Sequence, residues 1–176
     1  MIRKCSFIFR IDTMSTKNRR YYLVIAFSLL FLSFFNTGWC CPDGWTAYRV
    51  SCYHISRDSQ NWFNALKMCE IHDSYLVHID NVDENVFITH LLQTSNTNNT
   101  WLGATDWTVE GTWLWEPHGH KMDYTNFAPG QPNNYHTQNC LLMDAAHHYQ
   151  WNDLGCLTST RHYICERGQN TGFIIG

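Results

Sequence analysis

Six cysteines after residue 40, downstream of an N-terminal segment with a long apolar run, constrain the fold more than any other feature of this chain. Lys17, Arg19 and Arg20 precede an apolar run from Tyr21 to Phe35, a pattern typical of a signal peptide. An exported chain enters an oxidising compartment, where cysteines form disulfides. Three disulfides are therefore predicted among Cys41, Cys52, Cys69, Cys140, Cys156 and Cys165, and spacing alone leaves their connectivity open.

The predicted signal peptide covers residues 1–40, a single domain follows over 41–167, and 168–176 form a short C-terminal tail. Met14 is an alternative start, which would make the preceding residues a leader extension. An uncleaved anchor is the competing interpretation, but the apolar run is shorter than the roughly 20 residues that span a bilayer. We expect a secreted protein without membrane contact after cleavage. If Cys40 is retained, its thiol predicts a disulfide-linked homo-oligomer.

The composition argues against two classes of function. A formal net charge of −3 provides no basic surface for a phosphate backbone, so no nucleic-acid partner is expected. The domain cysteines are assigned to disulfides, and the chain has no Gly-x-Ser-x-Gly, His-Glu-x-x-His or phosphate-loop pattern. We therefore do not expect an enzyme.

Two amphipathic helices are predicted in the first half of the domain. Over residues 59–71, an apolar face recurs at helical spacing and includes Trp62, Ala65, Leu66 and Cys69. The second helix starts at Asn81, where Asn81 to Glu84 form a capping box, and its buried face is Phe87, Ile88, Leu91 and Leu92.

Short paired strands are predicted around Trp45, Tyr48 and Tyr53. Further short aromatic strands are predicted in the second half, at Trp101–Gly103, Thr112–Trp115, Cys140–Met143 and His162–Cys165. A long loop from Glu116 to Asn139 is rich in Gly, Pro and Asn, and loops beyond about 15 residues are usually functional or disordered. The triplet Asn98-Asn99-Thr100 predicts a glycan on Asn98 in a surface loop, although such triplets also arise by chance.

A set of motifs in register resembles the long-form C-type lectin domain. They are Trp101-Leu102-Gly103, Glu110-Gly111, Trp113-Leu114-Trp115, Gln131-Pro132-Asn133, Trp151-Asn152-Asp153 and the last three cysteines. The resemblance covers Cys41 to about Arg167, and the stretch from Trp101 to Asn133 is similar to perlucin-type mollusc lectins. It implies an α+β fold with two helices, small antiparallel sheets and a long irregular loop region. It also implies the pairs Cys41–Cys52, Cys69–Cys165 and Cys140–Cys156.

The resemblance also points to a calcium site that binds sugar. Ca²⁺ takes six to eight oxygen ligands, and five side-chain oxygens are available from Gln131, Asn133, Gln138, Asn152 and Asp153. With a backbone carbonyl of Asp153, two coordination positions remain open for the neighbouring hydroxyls of a sugar. The resemblance further implies that the peptide bond before Pro132 is cis in the calcium-bound state.

The site departs from the family pattern in its charge. Gln131-Pro132-Asn133 is a hybrid of the mannose-type Glu-Pro-Asn and the galactose-type Gln-Pro-Asp, and Asp153 is the one carboxylate among the five residues. Weak calcium binding is expected, on the order of 10⁻⁴ to 10⁻³ M. Tyr135 lies where galactose-binding members often have an aromatic residue, which favours galactose-type or dual specificity; the alternative is that Tyr135 packs the loop.

A second calcium site is predicted around Asp106, Glu110 and Asn134, with Asn134 and Asn139 at positions where other members carry acids. The alternative is a solvated turn. A wider alternative is a lectin-like module that binds protein or mineral matrix without an ion.

The tryptophans Trp101, Trp113, Trp115 and Trp151 are predicted to form core, and the loop histidines His118, His120, His147 and His148 are expected to be solvated or to bind a transition metal.

Overall fold

The computed structural model describes residues 41–134 and 137–168. The predicted signal peptide, Cys40, Tyr135 and nearly all of the predicted tail lie outside these ranges. The described residues from Asp43 to Gly168 belong to one compact unit. Within the described ranges, no helix has the length and apolarity needed to cross a membrane.

Two helices and nine strands form the described part of the chain. The helices are α1 (Trp62–Ile71) and α2 (Val82–Thr94). The strands are β1 (Thr46–Tyr48), β2 (Ser51–Ile55), β3 (Tyr75–Leu76), β4 (Thr100–Thr105), β5 (Leu114–Trp115), β6 (His120–Lys121), β7 (Cys140–Asp144), β8 (Gln150–Leu154) and β9 (His162–Gly168). A 3₁₀ turn, Ala145–His147, follows β7.

The strands run in the order β1-β2-β9-β4-β5-β6, with β3 added to β9 and β7 joining β4 to β8. All of these pairs are antiparallel except β4 with β9, which run parallel. The predicted α+β fold with two helices and antiparallel sheets is confirmed. The parallel pair was not anticipated.

Helix α1 begins later than the apolar spacing predicts. Asn61 caps it by accepting a hydrogen bond from the backbone N–H of Asn64 at 2.9 Å. Gln60 forms an isolated bridge with Arg161, so the chain is still extended at that point. Trp62, Ala65 and Cys69 are buried as predicted, whereas Leu66 is partly buried.

Helix α2 begins after Asn81, which accepts from the backbone N–H of Glu84 at 3.0 Å as a capping box requires. In a usual capping box the glutamate side chain accepts from the backbone N–H of the N-cap residue. Here Glu84 Oε2 accepts instead from the backbone N–H of Asp80, one residue before the cap, at 3.0 Å. The other oxygen of Glu84 accepts from the Tyr53 hydroxyl at 2.6 Å. Glu84 therefore ties the start of α2 to strand β2.

The four tryptophans predicted as core are all buried, with at most 7% of their surface exposed. Trp151 packs edge-on against Trp115, Tyr124 and Phe127, and its indole N–H donates to Asn85 Oδ1 at 2.9 Å. Because the family motif Trp151-Asn152-Asp153 begins with this residue, core packing fixes the position of the two polar residues that follow it.

The disulfides Cys69–Cys165 and Cys140–Cys156 are both present. Cys41 and Cys52 are also disulfide-bonded, and their pairing with each other stays a prediction. The bond between Cys140 and Cys156 joins the start of β7 to the segment after β8.

Three strands were missed from the sequence: β3, β6 and β8. Two are two-residue strands, and β8 has the polar sequence Gln-Trp-Asn-Asp-Leu, which has low β propensity. Strand β8 exists because Trp151 and Asp153 are buried against β7. The region Glu116 to Asn139, predicted as one loop, contains β6 and a bridge from Phe127 to Trp151.

Candidate functional site

Four segments of the chain meet where strands β4 and β8 end and strand β7 begins. We call this region the site edge of the sheet. Thr105 at the end of β4 pairs with Cys140 at the start of β7, which pairs with Leu154 at the end of β8. Residues 106–111 continue from β4, residue 139 precedes β7, and Asp153 lies one residue before the end of β8. Hydrogen bonds attach the loop 131–134 to the same edge.

Asp153 is the central residue of this edge. Its side chain is fully buried, and its carboxylate accepts from the backbone N–H of Asn133 at 3.1 Å and of Asn134 at 2.6 Å. A buried carboxylate requires such donors, because an unpaired charge is costly away from water. Asp153 therefore anchors the loop after Pro132.

Asn134 connects this loop to two other segments. Its Oδ1 accepts from the backbone N–H of Gln138 at 3.0 Å, and its Nδ2 donates to Glu110 Oε2 at 2.6 Å. The backbone of Asn134 is left-handed, with φ of 46°, a conformation that asparagine adopts more readily than most residues. One side chain thus bridges the predicted second calcium site and the predicted sugar site.

Asp106 is held in a similar way. It is 2% exposed, Oδ2 accepts from the backbone N–H of Gly111 at 2.9 Å, and Oδ1 accepts from Asn139 Nδ2 at 3.3 Å. The first bond closes the turn of residues 106–111, and the second attaches it to the residue before β7. Of the predicted second site, Glu110 contacts Asn134, and Asp106 contacts Asn139.

The carboxylates of this edge influence one another. Partial desolvation, followed by repulsion from Asp106 and from Asp153, raises the pKa of Glu110. The sequence offers Asp153 as the one carboxylate of its predicted site, whereas in the structure Glu110 lies close enough to both Asp106 and Asp153 to be repelled by them. Negative charges brought together in this way favour the approach of a cation.

Two buried acceptors at the site have no hydrogen-bond partner: Gln131 Oε1 and Asn152 Oδ1. The amide nitrogen of Asn152 donates to Asp144 Oδ2 at 3.5 Å, so its oxygen is the group left unsatisfied. The Gln131–Pro132 bond is cis, the form that the family resemblance implies for the calcium-bound state. Leaving a buried acceptor unpaired costs about 1–3 kcal/mol, so these oxygens indicate an absent partner.

These donor groups fit a calcium ion. All are oxygens of the amide and carboxylate types that Ca²⁺ prefers. Asp153 accepts its bonds from two backbone N–H groups, which leaves lone-pair capacity on a carboxylate with about four acceptor sites. Among the described residues, no group of three or more His, Cys, Asp or Glu side chains is placed to hold a metal. A site here must therefore rely on amide oxygens.

The structure brings only some of the predicted ligand residues into contact. The backbone N–H groups of Asn133 and Asn134 donate to the carboxylate of Asp153, and the backbone N–H of Gln138 donates to Asn134 Oδ1. No described contact links Gln131 or Asn152 to Asp153, and Tyr135 lies outside the described residues. No motif in the sequence indicates Asp144: its contact with Asn152 depends on the pairing of β7 with β8, and its contact with His147 arises within the 3₁₀ turn that follows β7.

The chain matches the family model described as the lectin C-type domain over residues 58–167. The chain belongs to the C-type lectin family. This C-type lectin is 36% identical over 127 residues to a perlucin-like protein of Mytilus galloprovincialis, covering 71% of this chain and 81% of the relative. It is 39% identical over 130 residues to perlucin of Haliotis laevigata, covering 72% and 83% of the two chains.

Solved structures of C-type lectins have the same fold. The mouse scavenger receptor C-type lectin carbohydrate-recognition domain superposes with a TM-score of 0.67 at 31% identity, covering 73% of this chain and 96% of the other. A calcium-independent type II antifreeze protein also superposes with a TM-score of 0.67, at 27% identity, covering 73% and 95%. The fold thus occurs in a carbohydrate-recognition domain and in a calcium-independent protein.

Proposed function

We propose that this C-type lectin binds carbohydrate through a calcium ion held by Gln131, Asn133, Gln138, Asn152 and Asp153. The observation that carries the proposal is the pair of buried, unpartnered oxygens, Gln131 Oε1 and Asn152 Oδ1. Both belong to residues selected from the sequence as ligands, and both lack the partner that buried oxygens normally have. A cation would supply that partner.

When bound, the ion offers open coordination positions to two neighbouring hydroxyls of a sugar. The chain's own side chains orient that diol. An amide group can accept a hydrogen bond through its oxygen and donate through its nitrogen. Gln131 and Asn133 therefore present both kinds of group, which supports galactose-type or dual specificity. Tyr135 would add an aromatic face for the apolar side of galactose.

Single-site affinity is expected to be weak for both calcium and sugar. Calcium affinity depends on the number of charged ligands, and the proposed set has one carboxylate, supported by the field of Asp106 and Glu110. We propose that these two acids, with Asn134, form a second calcium site next to the first. Useful binding to a surface would then require several domains acting together.

A glycan array probed with calcium and again with chelator tests the proposal. Binding to galactose-terminated or mixed glycans that disappears with chelator is the expected result. Asp153→Asn should behave as chelator does, whereas Asp73→Asn, which changes an 84% exposed carboxylate, should bind normally. Binding to mannose glycans alone would refute the proposed specificity. Chelator-resistant binding would refute the calcium mechanism.

A second candidate is a calcium-independent module that binds protein or mineral matrix. It is favoured by the bonds from Asn133 and Asn134 to Asp153, which hold the loop without an ion. The two perlucin relatives and the calcium-independent antifreeze protein support it. Retention on a mineral or protein column with chelator present would favour this candidate.

We further propose that the protein is secreted after removal of residues 1–40, with a domain over 41–167, a tail over 168–176 and a glycan on Asn98. Asn98 is exposed, which is a requirement for such a modification. N-terminal sequencing of the secreted protein would place the cleavage site. It would also show whether Cys40 is retained for the proposed disulfide-linked dimer.

A further inference from the structure

A cleft of about 550 Å³ lies at the opposite end of the sheet from the candidate calcium site. It is bordered by residues 98 and 99 before β4, by residues 145 and 146 after β7, and by residues 160–162 at the start of β9. The calcium candidates lie beyond the other ends of β4 and β7. Strand β7 has five residues, and at about 3.3 Å per residue it separates the two regions by roughly 13 Å.

Six of the eight residues that line this cleft have a polar side chain, and none of the eight is acidic. The lining consists of Ser59, Asn98, Asn99, Ala145, Ala146, Thr160, Arg161 and His162. Asn99 Oδ1 accepts from the backbone N–H of Ala145 at 3.2 Å, so its NH₂ group is the part left for a ligand. The hydroxyls of Ser59 and Thr160 add two donors that rotate freely.

Arg161 supplies the permanent positive charge of the cleft. Its backbone is fixed by two hydrogen bonds with Gln60, at 2.9 and 3.0 Å. One guanidinium nitrogen, Nη1, donates to the carbonyl of Thr160 at 2.7 Å, and the buried Nε has no partner. None of the ion pairs among the described residues includes Arg161. Its charge is therefore not neutralised by a described carboxylate.

Two carboxylates act on this region without lining the cleft. Asp58 attracts His162, and its carboxylate accepts from Gln60 Nε2 at 2.9 Å and from the Tyr163 hydroxyl at 3.0 Å. Asp144 accepts from the backbone N–H of Ala146 at 2.9 Å through Oδ1 and contacts His147 Nδ1 at 2.8 Å through Oδ2. The cleft itself thus combines one unpaired guanidinium with several neutral donors.

We propose that this cleft binds a tetrahedral oxyanion, a sulfate or phosphate group carried by an acidic ligand. Such groups accept hydrogen bonds and donate few or none, which complements the amide, hydroxyl and guanidinium donors among these residues. Arginine binds them through two parallel N–H bonds, an arrangement that a lysine ammonium does not reproduce. The cleft shares no residue with the proposed sugar site, and Asp144, which contacts both Ala146 and Asn152, lies between them.

Titration of the full-length secreted protein with sodium sulfate and with sodium phosphate, followed by amide NMR shifts, tests this proposal. Sodium chloride at matched ionic strength is the reference. Saturable shifts confined to residues 59, 98–99, 145–146 and 160–162 are expected with either oxyanion. Arg161→Gln should weaken binding at least tenfold and Arg161→Lys should weaken it less. Arg49→Gln, which removes the same charge from the exposed turn between β1 and β2, should have no effect.

Three results would overturn the proposal. The first is an equal response to sulfate, phosphate and chloride. The second is unchanged oxyanion binding in Arg161→Gln, provided that its circular dichroism matches that of the wild type. The third concerns the predicted glycan on Asn98, which borders the cleft: if Asn98→Gln binds sulfate and the glycosylated protein does not, the cleft is covered in the secreted molecule. Loss of sugar binding in Asp153→Asn should leave the sulfate response intact.

Discussion

The backbone N–H of Asn134 donates to the buried carboxylate of Asp153 across 2.6 Å, and this bond fixes the loop that carries the proposed calcium ligands. The neighbouring N–H of Asn133 donates to both oxygens of the same carboxylate at 3.1 Å. Asp153 therefore has two functions in the proposed site. It orders residues 131–134 in the absence of an ion, and it supplies negative charge to the calcium set.

Asp153→Asn removes the negative charge with little effect on packing, because the two side chains have nearly the same size. Bonds from N–H groups to a charged acceptor are roughly twice as strong as bonds to a neutral one. We expect the variant to lose about 1–3 kcal/mol of unfolding free energy and at least tenfold in calcium affinity. Urea denaturation and calcium calorimetry measure the two effects. Unchanged calcium heat would exclude Asp153 as a ligand.

Gln131→Glu tests whether the unpartnered oxygen of Gln131 faces a cation. The substitution keeps the geometry and adds a second carboxylate to the proposed set, so calcium affinity should increase by about tenfold. Gln93→Glu places the same charge on the exposed side of α2 and should leave affinity unchanged. A Gln131→Glu protein that is destabilised and binds calcium no better would show that no ion neutralises this position.

Much of the fold was predictable because its signals are local. The apolar spacing of Trp62, Ala65 and Cys69 and the Asn81 cap are each contained within one or two helical turns. Strand β8 was not predictable in this way, since it depends on pairing with β7 and on the burial of Trp151. Local polar composition gives no indication of either contact.

The site was only partly predictable for a related reason. Its residues could be selected by type and by family motif, and Asn133 and Asp153 do meet. The links from Glu110 to Asn134 and from Asp106 to Asn139 join residues far apart in the sequence. Such contacts arise from the order of the strands, which residue type does not reveal. The negative field shared by the two predicted calcium sites therefore emerges only in the folded chain.

Gly103 has a steric role within the motif Trp101-Leu102-Gly103. A Cβ atom at this position would collide with the backbone carbonyl oxygen of Leu76, the last residue of β3. We expect Gly103→Ala to lower the unfolding free energy by about 1–3 kcal/mol, the usual cost of overpacking. Gly168→Ala, whose Cβ would be at an ordinary 3.5 Å from the Tyr75 hydroxyl, should cost much less in the same urea experiment. Equal stability of the two variants would contradict this explanation.

Two buried titratable groups should give the domain opposing pH dependences. Burial, with repulsion from Glu84, raises the pKa of Glu166 from 4.5 to about 7. Burial lowers the pKa of His78 from 6.5 to about 4, against the effect of the Glu116 carbonyl, which accepts from its Nε2–H. In the folded state Glu166 therefore loses its proton at a higher pH than in the unfolded chain, and His78 gains a proton only at a lower pH.

Between about pH 4.5 and 7 the folded chain binds more protons than the unfolded chain at Glu166, so this group lowers stability as pH rises. Between about pH 4 and 6.5 the unfolded chain binds more protons at His78, so this group lowers stability as pH falls. The two slopes should largely cancel where they overlap.

We therefore expect Glu166→Gln to become more stable with rising pH up to about 6.5, and His78→Gln to become less stable with rising pH up to about 7. Urea denaturation of both variants across this range measures the slopes, and parallel profiles in the two variants would show that these groups do not control the pH dependence.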